Sequence, residues 1–243
     1  MKPTFSRPLT ACACACAVTI LAASGCATVD QDPADPFEGF NRAMFAVNEG
    51  LDKVAIKPVA QGYDAVTPLP VKVAVGNFFG NIWDSWTAIN NLLQGKGADA
   101  LSDVGRVLIN STVGIGGVFD VAGEMGLVKH TEEFGQTLGT WGVPNGPYFY
   151  WPIIGPRTTR DTFGWLVDTY YDPVWRVDDV ALRNSLVALR YTDIRAGYLA
   201  ADKVVEEAAF DKYSYIRDAY LQNRRSLIFD GVDSSPPPLS PDH

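Results

Sequence analysis

The amino-acid sequence predicts an all-α protein, and three observations carry that reading. From Val71 to Leu93 the apolar residues Val71, Val75, Phe78, Ile82, Trp86, Ile89 and Leu93 recur at spacings of three or four, the period of a helix. The stretch 98–110 repeats the pattern with Leu101, Leu108 and Ile109. Residues 178–230 hold 17 charged positions in 53, interleaved with apolar stripes, as in water-facing amphipathic helices. Helices are expected at 37–54, 71–94, 98–112, 118–126, 157–170, 179–206 and 209–228, with no substantial sheet.

The chain begins with Lys2 and Arg7, an uncharged run from Leu9 to Ala23, and Ser24-Gly25-Cys26. That is the three-part layout of a secretory signal over residues 1–25, too short to be kept as a membrane span. Ala23-Ser24-Gly25-Cys26 resembles a bacterial lipobox, with Ala23 where leucine is usual. Cleavage before Cys26 removes Cys12, Cys14 and Cys16 and leaves one thiol, which acylation consumes. Two or more acyl chains give stable anchoring, at about 0.8 kcal/mol per buried methylene. Residues 26–34 then form a linker to a domain at 35–230. Ala27 stands where an aspartate would favour inner-membrane retention, so the expected location is the periplasmic face of the outer membrane. Without the signal the chain has 18 basic and 28 acidic residues, a net charge of −10, which argues against nucleic acid and against attraction to anionic headgroups.

The body divides by charge density, with 11 charged residues among the 86 from Val71 to Pro156. The 71–94 helix spans about 36 Å. Its other side carries Gly76, Asn77, Gly80, Asn81, Ser85, Asn90 and Gln94, with Lys72 and Asp84 its only charges. Such a helix either lies at an interface or lines a polar cavity, with Gly76 and Gly80 permitting close helix contact, or is a plain core helix. In 98–110, Asp99, Asp103 and Arg106 mark a wetter face. The glycine-rich 111–128 segment lacks the spacing of any phosphate loop, and a short interfacial helix at 118–126 is expected instead.

Phe134 to Pro156 contains 23 residues without a charge, five glycines and four prolines, so no regular membrane helix can run through it. Irregular backbone at membrane depth needs protein or a water-filled cavity around it. Gly135, Gly139, Trp141, Gly142, Pro144, Gly146, Pro147 and Tyr148 are therefore candidates for a channel wall or a mobile loop, with Trp141, Tyr148, Tyr150 and Trp151 at the membrane interface. A loop packing its aromatics into an ordinary core is the alternative. Arg160 and Asp161, opening the next helix, either line a pore or are solvated charges in a first turn. The last two helices are expected to face the periplasm, with Phe210, Tyr213, Ile216 and Tyr220 in one stripe. Residues 231–243, rich in proline and serine, read as a disordered tail.

No catalytic set emerges. His130 is the only histidine besides terminal His243, and no hydrolase, metalloprotease or nucleotide motif is present. His130 reads as a solvated loop residue, and no enzyme, metal site or cofactor is expected.

Asp35-Pro36-Phe37-Glu38-Gly39-Phe40-Asn41-Arg42 resembles the DP-x-E-G-F-N-R signature of the MlaA/VacJ outer-membrane lipoproteins. The likeness continues through Asn90 to Gly95, Asn110 to Thr112, Gly116 to Asp120, Phe134 to Gly139, Trp141 to Pro144, Gly146 to Tyr148 and Arg160-Asp161, covering roughly residues 35–230. The resemblance implies a ring-shaped helical domain in the inner leaflet of the outer membrane, with a central amphipathic channel, beside a trimeric porin. It implies removal of mislocalised phospholipid from the outer leaflet and delivery to a periplasmic lipid carrier. A porin-associated scaffold that transports nothing is the competing reading.

Overall fold

The structure, a computed structural model, describes residues 33–231. The acylation site Cys26, the signal and the tail beyond residue 231 lie outside the described residues. The chain is mostly helical, in the order α1 Glu38–Leu51, a π turn Asp52–Ile56, α2 Lys57–Val66, α3 Leu69–Leu93, α4 Gly97–Thr112, α5 Val121–Glu124, α6 Phe134–Thr140, strands β1 Tyr148–Trp151 and β2 Gly155–Thr158, α7 Thr159–Tyr171, a 3-10 turn Pro173–Arg176, α8 Val180–Gly197, α9 Leu199–Ala208 and α10 Lys212–Ile228.

Helix α2 is absent from the sequence reading, which ends its first helix at residue 54. Pro58 has no N–H and its ring crowds the carbonyl four residues earlier, so a regular helix would stop there. The π turn at 52–56 absorbs the proline instead: Lys57 N–H bonds back to the Asp52 carbonyl and the chain continues as helix to Val66. Helix α6 is a second correction, because the uncharged stretch starts as helix and leaves it after Thr140, with Gly142 at positive φ before the first proline, Pro144. Its glycines are there for packing. A Cβ on Gly164 of α7 would lie 2.4 Å from the Gly135 backbone N, so α6 and α7 cross backbone to backbone. Gly76 and Gly80 make no such crossing; their nearest neighbours are side-chain atoms of Asp193 and Lys129.

Further along, the helix expected at 118–126 shortens to the single turn of α5, capped by Asp120, which accepts from Gly123 N–H at 3.1 Å. The helix expected at 179–206 breaks after Gly197 into α8 and α9. The two four-residue strands pair antiparallel, Tyr148 opposite Thr158 and Trp151 opposite Gly155, with Ile153 in the connection and Gly155 at the start of β2 both at positive φ. The free edge of β1 is covered by α1. Asn41 donates to Tyr148 O at 3.0 Å and accepts from Tyr150 N–H at 2.8 Å, while Asn48, two turns further, does the same for Trp151 O and Ile153 N–H at 2.9 and 2.8 Å.

What packs inside differs from an ordinary helical domain. Among the described residues, 19 polar or charged side chains are buried against 10 hydrophobic ones, five of them alanine, and no leucine or isoleucine is buried at all. Outside, Val54, Val66, Leu69, Leu92, Leu101, Leu108, Ile115 and Ile153 are each at least 61% exposed. In α4 the expected wetter face is the buried one: Asp103 and Arg106 point inward while Leu101 and Leu108 face out. In α3, Asn81, Asp84, Thr87, Asn90 and Asn91 are buried, whereas Val71, Ile89 and Leu93 of the apolar stripe are exposed. Leucine and isoleucine usually fill interiors and carboxylates usually avoid them. Here the amphipathic helices are turned around.

Candidate functional site

Turning polar faces inward is tolerable only if they bond to one another, since an unpaired buried polar group costs several kcal/mol. Between α3 and α4 they do. Arg106 of α4 donates to Asp84 at 3.3 Å, to Asp120 at 2.8 Å and to the Leu127 carbonyl at 2.8 Å, and Lys129 closes on the other Asp84 oxygen. Asn91 donates to Asp103 at 2.8 Å. His130 is no freely solvated loop residue: its Nδ1 lies 3.0 Å from the same Asp103 and its Nε2 3.6 Å from Asp99. No cluster among the described residues has the make-up of a metal site.

A second network joins α6, α7 and α10. Asp161, wholly buried, accepts from Arg160 at 2.8 and 3.0 Å, from Arg224 at 3.0 Å twice, and from the Tyr220 hydroxyl at 2.7 Å. Burial by itself would raise this carboxyl, but Arg224, the Tyr220 hydroxyl and Arg160 together hold it below the ordinary carboxylate range. Arg160 and Asp161 are therefore not solvated charges. They clamp three helices, with Gly135 and Gly139 supplying room: a Cβ at Gly135 would be 3.1 Å from Arg224, and one at Gly139 3.0 Å from Arg160.

The eight-residue signature forms a third network. Asp35 is wholly buried and accepts from Asn41 at 2.7 Å, from the Tyr213 hydroxyl, and from Arg217 at 3.4 Å. Arg42 lies over the Tyr213 ring and bonds Glu38 and Asp211, each at 2.6 Å. Pro36 and Phe40 are half-buried and Gly39 has nothing within contact range. The signature staples the segment leading into α1 to α10 and, through Asn41, to β1.

In the uncharged stretch, Tyr148 and Tyr150 are core residues packed around Tyr213 with Phe45, which is the ordinary-core alternative for these two positions rather than an interfacial one. Trp151 is half-buried and donates to Thr162 at 3.0 Å. Trp141 is 53% exposed, and its Nε1 donates to the Leu93 carbonyl at 3.0 Å, tying the stretch to the end of α3. Gly142, Pro144, Gly146 and Pro147 form an exposed loop in which Gly142 and Gly146 take positive φ.

An opening with both polar and apolar walls lies elsewhere. A cleft of about 370 Å³ is bounded by α3, α7, α8 and β2, and none of the ten sequence-predicted channel or loop residues lines it. Its aromatic wall includes Phe79, Trp83 and Trp165; its charges are Glu133, Arg157, Asp168, Asp172, Arg190 and Asp193. Asp168, 4% exposed, accepts with Oδ1 from Trp86 Nε1 at 2.7 Å and from Phe134 N–H at 2.9 Å. Burial and then the nearby Glu133 carboxylate push it up to about 6. A signal for this site was present: Gly76 and Gly80 sit on the polar side of α3 that the periodicity isolates, and both line the cleft. A second cavity, about 410 Å³ and almost wholly apolar, runs between α3 and α4 past Ile89, Leu92, Leu101 and Leu108.

Residues 33–227 match the family model described as MlaA lipoprotein. The chain belongs to the MlaA lipoprotein family. The MlaA lipoprotein of Escherichia coli K12, named as part of an intermembrane phospholipid transport system, is 34% identical over 219 residues, covering 87% of this chain and 86% of its own. The Haemophilus influenzae MlaA lipoprotein, of the same name, is 30% identical, covering 88% and 89%. An uncharacterised protein of Rickettsia prowazekii is 40% identical over 206 residues, covering 80% and 78%. A solved structure, described as the structural basis for maintenance of bacterial outer membrane lipid asymmetry, superposes with a TM-score of 0.71 at 31% identity, covering 80% of this chain and 98% of that one. The MlaA resemblance read from the signature is thereby established over most of the chain, and the helical architecture with it.

Proposed function

We propose that this chain is an outer-membrane lipoprotein that takes mislocalised phospholipids from the outer leaflet and passes them to a periplasmic lipid carrier, so maintaining lipid asymmetry. The observation that carries the reading is the inverted polarity: a charged, hydrogen-bonded interior inside a shell of exposed valine, leucine and isoleucine. Such a shell is costly in water and suited to hydrocarbon. No helix among the described residues is long and apolar enough to cross a membrane. The fitting geometry is therefore a domain sunk into one leaflet, its helices lying around a polar interior and its Cys26 anchor in the same membrane. A headgroup entering hydrocarbon unaided loses its hydration at several kcal/mol per polar group. The mixed-wall cleft offers the head hydrogen bonds and charge, while the apolar surface accommodates the chains. Downhill movement then needs no nucleotide, which agrees with the absence of a nucleotide motif in the sequence.

Partners on this reading are phospholipid, a trimeric porin and the soluble carrier. The test is cellular. Deletion should let phospholipid accumulate in the outer leaflet, and Gly76→Trp should reproduce it, because a Cβ there would meet only Asp193 Oδ2, at 3.9 Å, and the indole would fill the cleft. An unchanged outer leaflet after deletion sinks the proposal. A silent Gly76→Trp in a chain that still co-purifies with porin would favour the scaffold reading instead.

A further inference from the structure

Three of the six charges around the cleft stand in ion pairs. Arg190 donates to Asp172 at 2.5 Å, Glu133 pairs with Arg224 at 2.7 Å, and Asp193 accepts from the Tyr63 hydroxyl at 2.8 Å. Asp193 thus has a neutral donor and no cation, and two further charges of the cleft form no ion pair. Asp168 uses only Oδ1; its Oδ2 has no donor, and the residue forms no ion pair among the described residues. Arg157 of β2 forms none either: its guanidinium lies 5.4 Å from the centroid of the Trp165 ring, and its Nε is buried without an acceptor. The Arg157 charge acts on Asp168 across the cleft without forming an ion pair with it, and an acid and a guanidinium left without a direct partner are each expensive to desolvate. A single occupant carrying the complement of both would remove that cost.

We propose that the cleft is a headgroup site that selects zwitterionic phospholipids, with the phosphodiester on Arg157 and the ammonium on Asp168, over anionic lipids whose heads carry no cation. This rests on the transport reading and adds the substrate class. A guanidinium presents paired donors to a phosphate, and stacking on Trp165 orients it. The ammonium gains a carboxylate and the aromatic wall at Trp83. An anionic head satisfies Arg157 but leaves Asp168 unpaired, and it adds negative charge to a cleft that holds four carboxylates against two guanidiniums. At about 370 Å³ the cavity is in the size range of small-molecule sites, enough for a polar head with its chains left outside.

The full-length acylated protein in detergent, equilibrated with vesicles of equal phosphatidylethanolamine and phosphatidylglycerol, is repurified and its bound lipid quantified by mass spectrometry. The wild type should retain phosphatidylethanolamine over phosphatidylglycerol by roughly fivefold. Asp168→Asn should bring the ratio to about one with lipid still bound, and Arg157→Gln should lower retention of both lipids by roughly fivefold. Soluble glycerophosphoethanolamine should displace lipid only in large excess; displacement at equal concentration would mean the ligand is the free phosphodiester and would overturn the lipid assignment. Equal retention of the two lipids by the wild type overturns the selectivity with no variant needed. A preference unchanged in Asp168→Asn overturns it as well. A wild type that retains no phospholipid would instead overturn the transport reading, and this proposal with it.

Discussion

Replacing Asp168 by asparagine should make the protein more stable at neutral pH and leave it unchanged in acid. The carboxyl titrates near 3.8 in an ordinary setting and is raised to about 6 in the fold by burial and by Glu133. A raised carboxyl favours the folded state only while it holds its proton. Below about pH 4 the group is protonated both folded and unfolded, and it costs nothing. Between pH 4 and 6 the unfolded chain ionises first, and stability falls by about 1.4 kcal/mol per pH unit. Above pH 6 both states are ionised and the penalty is constant at about 3 kcal/mol. At 4% exposure little solvent screening reduces it. Asparagine keeps an oxygen to accept from Trp86 and Phe134, and it places an amide donor where Oδ2 has none. Thermal unfolding of both proteins in detergent, followed by circular dichroism from pH 3.5 to 7.5, reads the effect. The melting temperatures should coincide near pH 3.5 and separate to roughly 6–12 °C above pH 6.5. Parallel curves from pH 4 to 7, or a less stable asparagine variant at pH 7.5, would refute the claim that Asp168 is a buried charge whose surroundings only partly offset its burial.

Other substitutions probe the networks and the outer face. Gly164→Ala places a methyl group 2.4 Å from the Gly135 backbone and should cost about 1–3 kcal/mol of stability in denaturant unfolding, with α6 shifted from α7. Arg224→Met leaves Asp161 with Arg160 and Tyr220 alone and strips Glu133 of its cation; a loss of about 3–5 kcal/mol is expected, read as a fall in melting temperature. Asn41→Ala orphans the Tyr150 N–H and the Tyr148 carbonyl and removes one of the three donors of Asp35, at about 2–4 kcal/mol; unfolding should begin at the hairpin, seen as early amide exchange at 148–151. Leu101→Asn with Leu108→Asn, on the exposed face of α4, should leave the melting temperature of detergent-solubilised protein within a degree or two but weaken retention of a non-acylated form on phospholipid vesicles. Unchanged vesicle retention would show that this face does not enter the bilayer.

Legibility was uneven, and particular residues show why. The period of Val71 to Leu93 announced α3, and the spacing of Leu101 and Leu108 announced α4, because a helix writes its period into local sequence. Helix α2 was hidden by Pro58, whose effect a π turn cancels, and α6 by glycines that look like breakers until Gly164 is brought against them. The signature from Asp35 to Arg42 named the family but not its own task, since Asp35 meets Tyr213 across a sequence separation of 178.

The sequence by itself determined the helical class, the family and the acidic balance, all of which depend on composition, local period or short motifs. Only the tertiary structure decided which face of each helix is inside. An apolar stripe and a polar stripe on one helix are equally periodic whichever is buried, and the choice depends on partners: Asp84 goes inward because Arg106 and Lys129 meet it there. The cleft is likewise a product of folding, for Arg157, Asp168 and Arg190 come from three elements with no shared motif. Arg157 and Asp168 are left without ion pairs there because Arg190 is taken by Asp172, and Glu133 by Arg224.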